Sequence, residues 1–446
     1  MKITQIGLSG ALGARAAMDR SARNTANQQT VGYTRQGVLR TSRVSGGVDA
    51  SSVIRFGNHT NTQQKWASHG SVGEHRAAES YFRQLEEVMG LKDGSIKVSM
   101  GKFFSALDAA SADVTNSALR QQVLLAAGGM AKSFNSVQQM MRGQLDTLRQ
   151  QSAATVEQIN GLSRTAAELN RLVAEAEANG GAPSELIDQR DQAIDQLATL
   201  VDIRTVRQPD GTVDVSLAGG TPLIAGRQVA KMKVETLSGG TFELKLELAG
   251  TQYSVDGAKV GGELGGLSSF AKDTLLPQME AIRSLAAELA GSFNEQVTAG
   301  FGMGGSPGKA LFTFNPVTGQ LTANEMKPEE LGFSGDPKTP GNSDNLLKLI
   351  ELRSRRIDLP GFGESSLGDA YVQLVGKLGA QSEQNQSSLA IAVNVRQQAE
   401  EAWQSLSGVS MDEEAVNLSE ALQIYSANMK VISVAKELFD ATMRAF

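Results

Sequence analysis

The side chains whose types could do chemistry are few, and their spacing argues against catalysis. Histidine occurs three times, as His59, His69 and His75. None stands in the His-Glu-x-x-His spacing that sets two imidazoles on one helix face around zinc. All three fall in or near a stretch that reads as extended chain, where exposed, solvated imidazole is expected. Asp188, Asp191 and Asp195 recur at three and four residues, hence on one helix face. Carboxylates grouped this way do acid–base work or hold a hard cation. Here Arg190 interleaves them, no histidine accompanies them and the helix is Gln-rich, so a solvated polar face is expected. The run around Gly308-Lys309 has the lysine of a phosphate loop, but Met303 and Ala310 stand where that loop needs glycine and a hydroxyl. Cysteine is absent, which excludes disulfides, thiolate nucleophiles and Cys-ligated metals. The chain therefore reads as a non-enzyme with no cofactor and no metal.

The elements that would position any site are mostly helices. Length is 446 residues, enough for two or three domains, and the 40% hydrophobic content is ordinary for a globular chain. Only 5% is aromatic, so the apolar load is aliphatic, which suits packed helices. Lys plus Arg number 42 against 48 Asp plus Glu, and the basic residues are scattered, so no nucleic-acid partner is expected. No run approaches the ~18 apolar residues of a membrane span. The first twenty residues form no apolar core of a secretory signal, since Gln5, Ser9 and Arg15 interrupt them.

Helical periodicity dominates both ends. Met411, Ala415, Leu418, Leu422, Tyr425, Met429, Ile432, Lys436, Phe439, Met443 and Phe446 step by fours and threes, with one polar interruption. A second series runs from Leu119 to Ala176 without proline and predicts a rod on the order of 90 Å long. Ala11 to Gln28 reads as helix, and Thr34 to Phe56 as extended chain with two strand-like runs. Asp210-Gly211 followed by alternating Val213, Val215 and Leu217 marks β-structure, as does the alternation from Phe242 to Leu248. Helix resumes near Leu264, with a start or kink at Pro277. Six of the ten prolines lie between Phe301 and Ser366, which predicts mostly irregular chain with short pieces. A last long helix spans about Leu367 to Leu406, ended by Gly408. The fold class is thus mainly α with a small β-insert. The N- and C-terminal segments form a long helical bundle or coiled coil, and one compact β-rich domain is inserted mid-chain. The expected division is 1–60 with 407–446 as a terminal helical assembly domain, 61–202 with 263–406 as a helical rod, and 203–262 as the insert. With both termini packed together, the insert is expected farthest from them.

The run ARNTANQQTVGYTRQ at 22–36 resembles the signature of bacterial flagellar rod, hook and hook-associated proteins. Asn24, Ala26, Asn27, Gly32, Tyr33, Thr34 and Arg35 match, while Arg23 and Val31 stand where that family usually has Asn and Pro. Gly32 permits a left-handed turn out of the helix. Residues 407–432 resemble the ending of the hook-associated protein 1 family within it, through Ser407-Gly408-Val409, Asp412-Glu413-Glu414, Asn417-Leu418, Tyr425 and Lys430. The acids there favour a helix N-terminus. Ala421 departs from a common aromatic. Leu186–Gln192, Gly261–Leu267, Phe293–Gln296 with Gly300-Phe301, and Gly308–Phe312 resemble the same family, in the same order.

The resemblance implies a structural subunit without enzymatic activity, exported by the flagellar type III system and placed outside the cell at the hook–filament junction. The implied partners are further copies of itself in a ring, hook protein, the second hook–filament junction protein, and an export chaperone bound through the C-terminal helix. Its implied assembly interface comprises the turn residues already named together with Leu418, Leu422, Tyr425, Met429, Ile432 and Phe439. The alternatives are another axial protein, either the second junction protein or a flagellin, and a secreted helical effector or adhesin.

Overall fold

A computed structural model describes residues 2–44, 46–90, 94–237 and 241–445. Helix α1, Lys2–Ala26, begins nine residues earlier than expected, because Ile3, Ile6 and Leu8 extend its apolar spacing through the glycines. Strands β1, Gln36–Ser42, and β2, Val48–Arg55, form an antiparallel hairpin. Helices α2, His59–Met89, and α3, Ile96–Ala112, follow, capped by Asn58 and Ser95, whose side chains accept from Thr60 N and Val98 N. The three histidines therefore do not lie in extended chain: His59 opens α2, and His69 and His75 sit within it. Their neighbourhood misleads because the cap at Asn58 starts the helix directly after the hairpin.

The spine is α4, Ser117–Ala178, sixty-two residues without interruption. At ~1.5 Å per residue it spans about 93 Å. Its first half, Val123 to Leu148, packs with α2, α3 and the later helices in one apolar core. Its second half, Val156 to Ala167, shares a second core with α5, Ser184–Leu200, and the sheets that follow. Those sheets are β3, Ile203–Arg207, β4, Val213–Leu217, β5, Pro222–Ala225, and β6, Gln228–Val229, in one antiparallel meander. The other holds β7, Lys231–Thr236, β8, Phe242–Leu248, and β9, Thr251–Val255. The inner face carries Val213, Val215, Leu217, Met232, Leu244 and Leu246, the alternation visible in sequence.

Helix α6, Gly262–Ser269, then runs through one π turn, Phe270–Leu275, into α7, Leu276–Ala299, and Pro277, which cannot donate a backbone hydrogen bond, falls at the exit of that irregular turn. Gly266 lets α6 lie directly on α2: a Cβ there would come 2.0 Å from the Glu74 carbonyl oxygen. The proline-rich segment is, as expected, irregular chain carrying short pieces. It contains the hairpins β10, Phe312–Phe314, with β11, Leu321–Ala323, and β12, Arg356–Leu359, with β13, Gly363–Ser366, and the helix α8, Asp344–Glu351. Lys309 in this segment pairs with Glu330 at 2.7 Å and faces no phosphate cradle. The last helices are α9, Ala370–Ser407, antiparallel to α2, and α10, Met411–Ala445. Phe446, the last position of the predicted stripe, lies outside the described residues.

The β-insert is not farthest from the termini. Arg190 on α5 donates to the Gly211 carbonyl at 2.7 Å, while Asp188, two residues earlier, holds the N-terminal segment. The reason is α5, which reverses the chain at the terminal end of the spine and serves both neighbours. No helix among the described residues is long and apolar enough to cross a membrane.

Candidate functional site

The turn after α1 is built on Asn24, which is 1% exposed. Its Nδ2 donates to the Gln36 carbonyl at 2.8 Å, and its Oδ1 accepts from Gln36 N at 3.0 Å and from the Tyr33 hydroxyl at 2.9 Å. One amide thus ties the helix end to the first strand residue. Burial raises the Tyr33 hydroxyl pKa, with Asp188 adding to it, so the phenol is a dependable donor. Gly32 takes φ +81°, and a Cβ there would stand 3.6 Å from the Gln192 side chain on α5. Asn27 caps the helix, donating to the Arg23 carbonyl and accepting from Thr30 Oγ1. Ala26 is exposed and takes no part in the turn.

Thr34 and Arg35 carry the turn outward. Thr34 N donates to Asp188 Oδ2 at 3.2 Å. Arg35 Nε donates to Glu414 at 3.0 Å and Nη1 to Glu413 at 2.6 Å, while its guanidinium lies 5.1 Å over the Phe56 ring. Arg35 N also donates to the Ser407 carbonyl, and Ser21 Oγ to that of Glu414. Glu414 is 2% exposed. The acids that open α10 therefore do more than favour its dipole: two of them receive the arginine of the N-terminal turn.

The carboxylate row on α5 is not a solvated face. Arg55, at the end of β2, reaches Asp188 at 2.7 Å and Asp191 at 2.9 Å. Asp195 lies 3.6 Å from Lys65 and 3.5 Å from His69 on α2, so a histidine does accompany the row. Lys65 also faces Glu400 at 3.5 Å and sits 4.5 Å over the Trp403 ring of α9. Burial raises the Asp188 carboxyl above its ordinary range, against the pull of Arg55 and the Thr34 amide. His69 is pushed below its ordinary pKa by burial, with Asp195 opposing and Lys65 and Arg396 adding to the effect. His75 faces Asn385 at 3.1 Å. Among the described residues, no group of three or more acids or histidines is arranged to hold a metal ion.

The terminal helices pair antiparallel, with Gly7 beside Ile432 and Ser21 beside Glu414. Their seam is made of small residues. Ala11, Ala14 and Ala421 are buried, and a Cβ on Gly10 would collide with the Asn428 amide at 2.2 Å. Ala421, the departure from a family aromatic, is small because α1 lies against it. Ile432 and Tyr425 are half-buried at the seam's edge. Leu418, Leu422, Met429 and Phe439 remain exposed, Leu422 and Phe439 at 50% and 58%. Val416, Val434 and Leu438 on α10 and Ile3, Leu8 and Leu12 on α1 are exposed too. So many exposed apolar side chains on one helix pair mark an interaction surface. Sequence reading missed Arg55, Gln36 and Asn428. For Arg55 a signal existed, a lone arginine closing a strand, with two acids three apart elsewhere to receive it.

Comparison with known proteins agrees with this geometry. Residues 82–312 match the family described as flagellar hook-associated protein FlgK helical domain. Residues 403–445 match the C-terminal family of flagellar basal body rod FlgEFG proteins. Flagellar hook-associated protein 1 of Escherichia coli K12 is 25% identical, the match covering 97% of this chain and 98% of that protein. The protein of that name from Bacillus subtilis 168 is 26% identical over 95% of this chain and 94% of its own. The solved structure titled the flagellar hook junction protein FlgK from Burkholderia pseudomallei superposes with a TM-score of 0.70 at 16% identity, covering 77% of this chain and all of that one. With its helical domain matched over more than half of its length, the chain belongs to the family of the flagellar hook-associated protein FlgK.

Proposed function

We propose that this chain is the subunit that joins hook to filament, assembled as a ring at the hook tip between hook protein and the second junction protein. The carrying observation is the set of exposed apolar side chains on the terminal helix pair, Leu418, Leu422, Met429 and Phe439 with Leu8 and Leu12. Each such side chain gains about 1.5–3 kcal/mol when a neighbour covers it, and the terminal pair, unlike the rod, has no described residue in either buried core. The relatives' names, hook-associated protein 1 and hook junction protein, support the same placement. In this reading 1–60 with 407–446 is the assembly domain, 61–202 with 263–406 the rod that sets its height, and 203–262 an insert resting on that rod. Asn24, Asn27, Gly32, Tyr33, Thr34 and Arg35 act by shaping the turn that aims α1, and the exposed stripe of α10 makes the contacts. The subunit leaves the cell unfolded through the flagellar type III apparatus. An export chaperone covers the α10 stripe beforehand, so a chain truncated after Ala402 should lose chaperone capture in a pull-down; undiminished capture would remove α10 from that role.

The test of the whole reading is a deletion strain viewed by electron microscopy. Hooks without filaments, with flagellin shed into the medium, are expected. Normal filaments on the deleted strain would overturn it.

A further inference from the structure

The terminal helix pair and its hairpin share no apolar core with the rod. Neither core cluster contains any described residue from 2–57 or 408–445. What crosses the boundary is polar: Arg55 on Asp188 and Asp191, the Thr34 amide on Asp188, and Arg23 on Glu185 at 3.2 Å. All of these end on α5. That helix is fixed to the rod by its opposite side, where Ile194, Leu197 and Ala198 are buried in the second core. The chain crosses the same boundary twice, from the hairpin into α2 and from α9 into α10. At the second crossing the tie is polar as well, the Arg35 amide donating to the Ser407 carbonyl at the end of α9 at 2.9 Å.

We infer that the carboxylates of α5 and Arg55 form an electrostatic latch that sets the angle between the terminal helix pair and the rod. An apolar boundary resists sliding because every shift exposes buried surface, while ion pairs can part and re-form in water at little loss of burial. Interfaces of this polar kind are the ones that permit relative motion within a chain. Arg55 is the pivot, because among the described residues it alone engages two carboxylates of the row, one turn of helix apart. With the latch closed, the pair is held against α5. With it open, only the two chain crossings hold it, and the angle widens into a range. Under the junction role above, such a joint would let identical subunits meet two differently curved tubes, but the latch itself does not depend on that role.

The absence of cysteine makes the test direct. Cysteines introduced at the exposed positions Ala427 on α10 and Ala154 on α4 carry a donor–acceptor dye pair on the full chain. At low ionic strength one narrow distance distribution is expected. It should broaden at least twofold in about 1 M salt, where the Debye length shrinks to about 3 Å, and in Arg55→Gln at any salt. The exchanged pair Arg55→Glu with Asp188→Arg should narrow it again. Amide exchange along α4 should be the same in all variants, which separates latch opening from unfolding. A distribution already broad in the parent at low salt, or unchanged in Arg55→Gln, overturns the inference. No hook or filament enters the measurement, so its outcome is separate from that of the junction role.

Discussion

At the scale of single residues, the turn depends on polar groups that have no substitute. Asn24→Ala leaves both backbone groups of Gln36 and the Tyr33 hydroxyl without their partner. Buried groups orphaned in this way cost about 1–3 kcal/mol, so amide-exchange protection of β1 should fall while that of α4 stays unchanged. Equal protection of β1 in the variant would show that Asn24 does not organise the turn. His69 gives a dependence on pH. Its folded pKa lies below the ordinary value near 6.5. The neutral ring is therefore the form the fold prefers. Its stabilisation is complete above about pH 6.5 and is lost as pH falls through the lowered value. His69→Gln should flatten the loss of urea stability between pH 7 and pH 5, and a variant that still falls as steeply as the parent would contradict this. Both residues show what sequence hides. Asn24 and Asp188 were visible as types and spacings. The partner Arg55 lies 133 residues from Asp188, and no local pattern joins the two. The row therefore read as solvated when it is half of an ion-pair set.

At the scale of elements, periodicity was the reliable guide and glycine the ambiguous one. The 62-residue spine and α10 were legible because their apolar spacing runs over many turns, with only Lys436 interrupting that of α10. Helix α8 was not, since eight residues among prolines offer too few periods to register. The small-residue run of α1 announced close approach, yet which stripe of α10 it meets could not be read. The seam uses Ala421, Asn428 and Ile432, and leaves Leu422 and Met429 of the stripe exposed. Two glycines separate the roles. Gly143 on α4 is exposed, with nothing within 4 Å of a built Cβ, so Gly143→Ala should stabilise by about 0.5–1 kcal/mol through helix propensity. Gly266 has the Glu74 carbonyl in that place, so Gly266→Ala must push α6 off α2 and should cost about 1–3 kcal/mol. Chemical denaturation of the two variants should give opposite signs, and the same sign for both would mean that α2 and α6 are not tightly apposed.

At the scale of the whole molecule, the two faces of α10 should fail differently. Ile432→Asp places a carboxylate against Gly7 and should separate α1 from α10 within one chain. Leu422→Asp lies on the outer face, half exposed, and should leave that pair intact while blocking assembly. Export of both should continue, because an unfolded chain buries neither charge. Circular dichroism of the free chain against swarming of the strain distinguishes them, and motile cells carrying Leu422→Asp would sink the outer-face account. The most direct measurement places one cysteine in this cysteine-free chain, at Leu422→Cys, with Ala154→Cys on the rod as reference. Maleimide labelling is then compared between the free chain and intact flagella. The account predicts that Cys at 422 reacts freely in the isolated chain and at least tenfold more slowly in flagella, with the reference position reactive in the free chain. Equal reactivity at 422 in the two states would contradict the claim that this face is buried by neighbouring subunits.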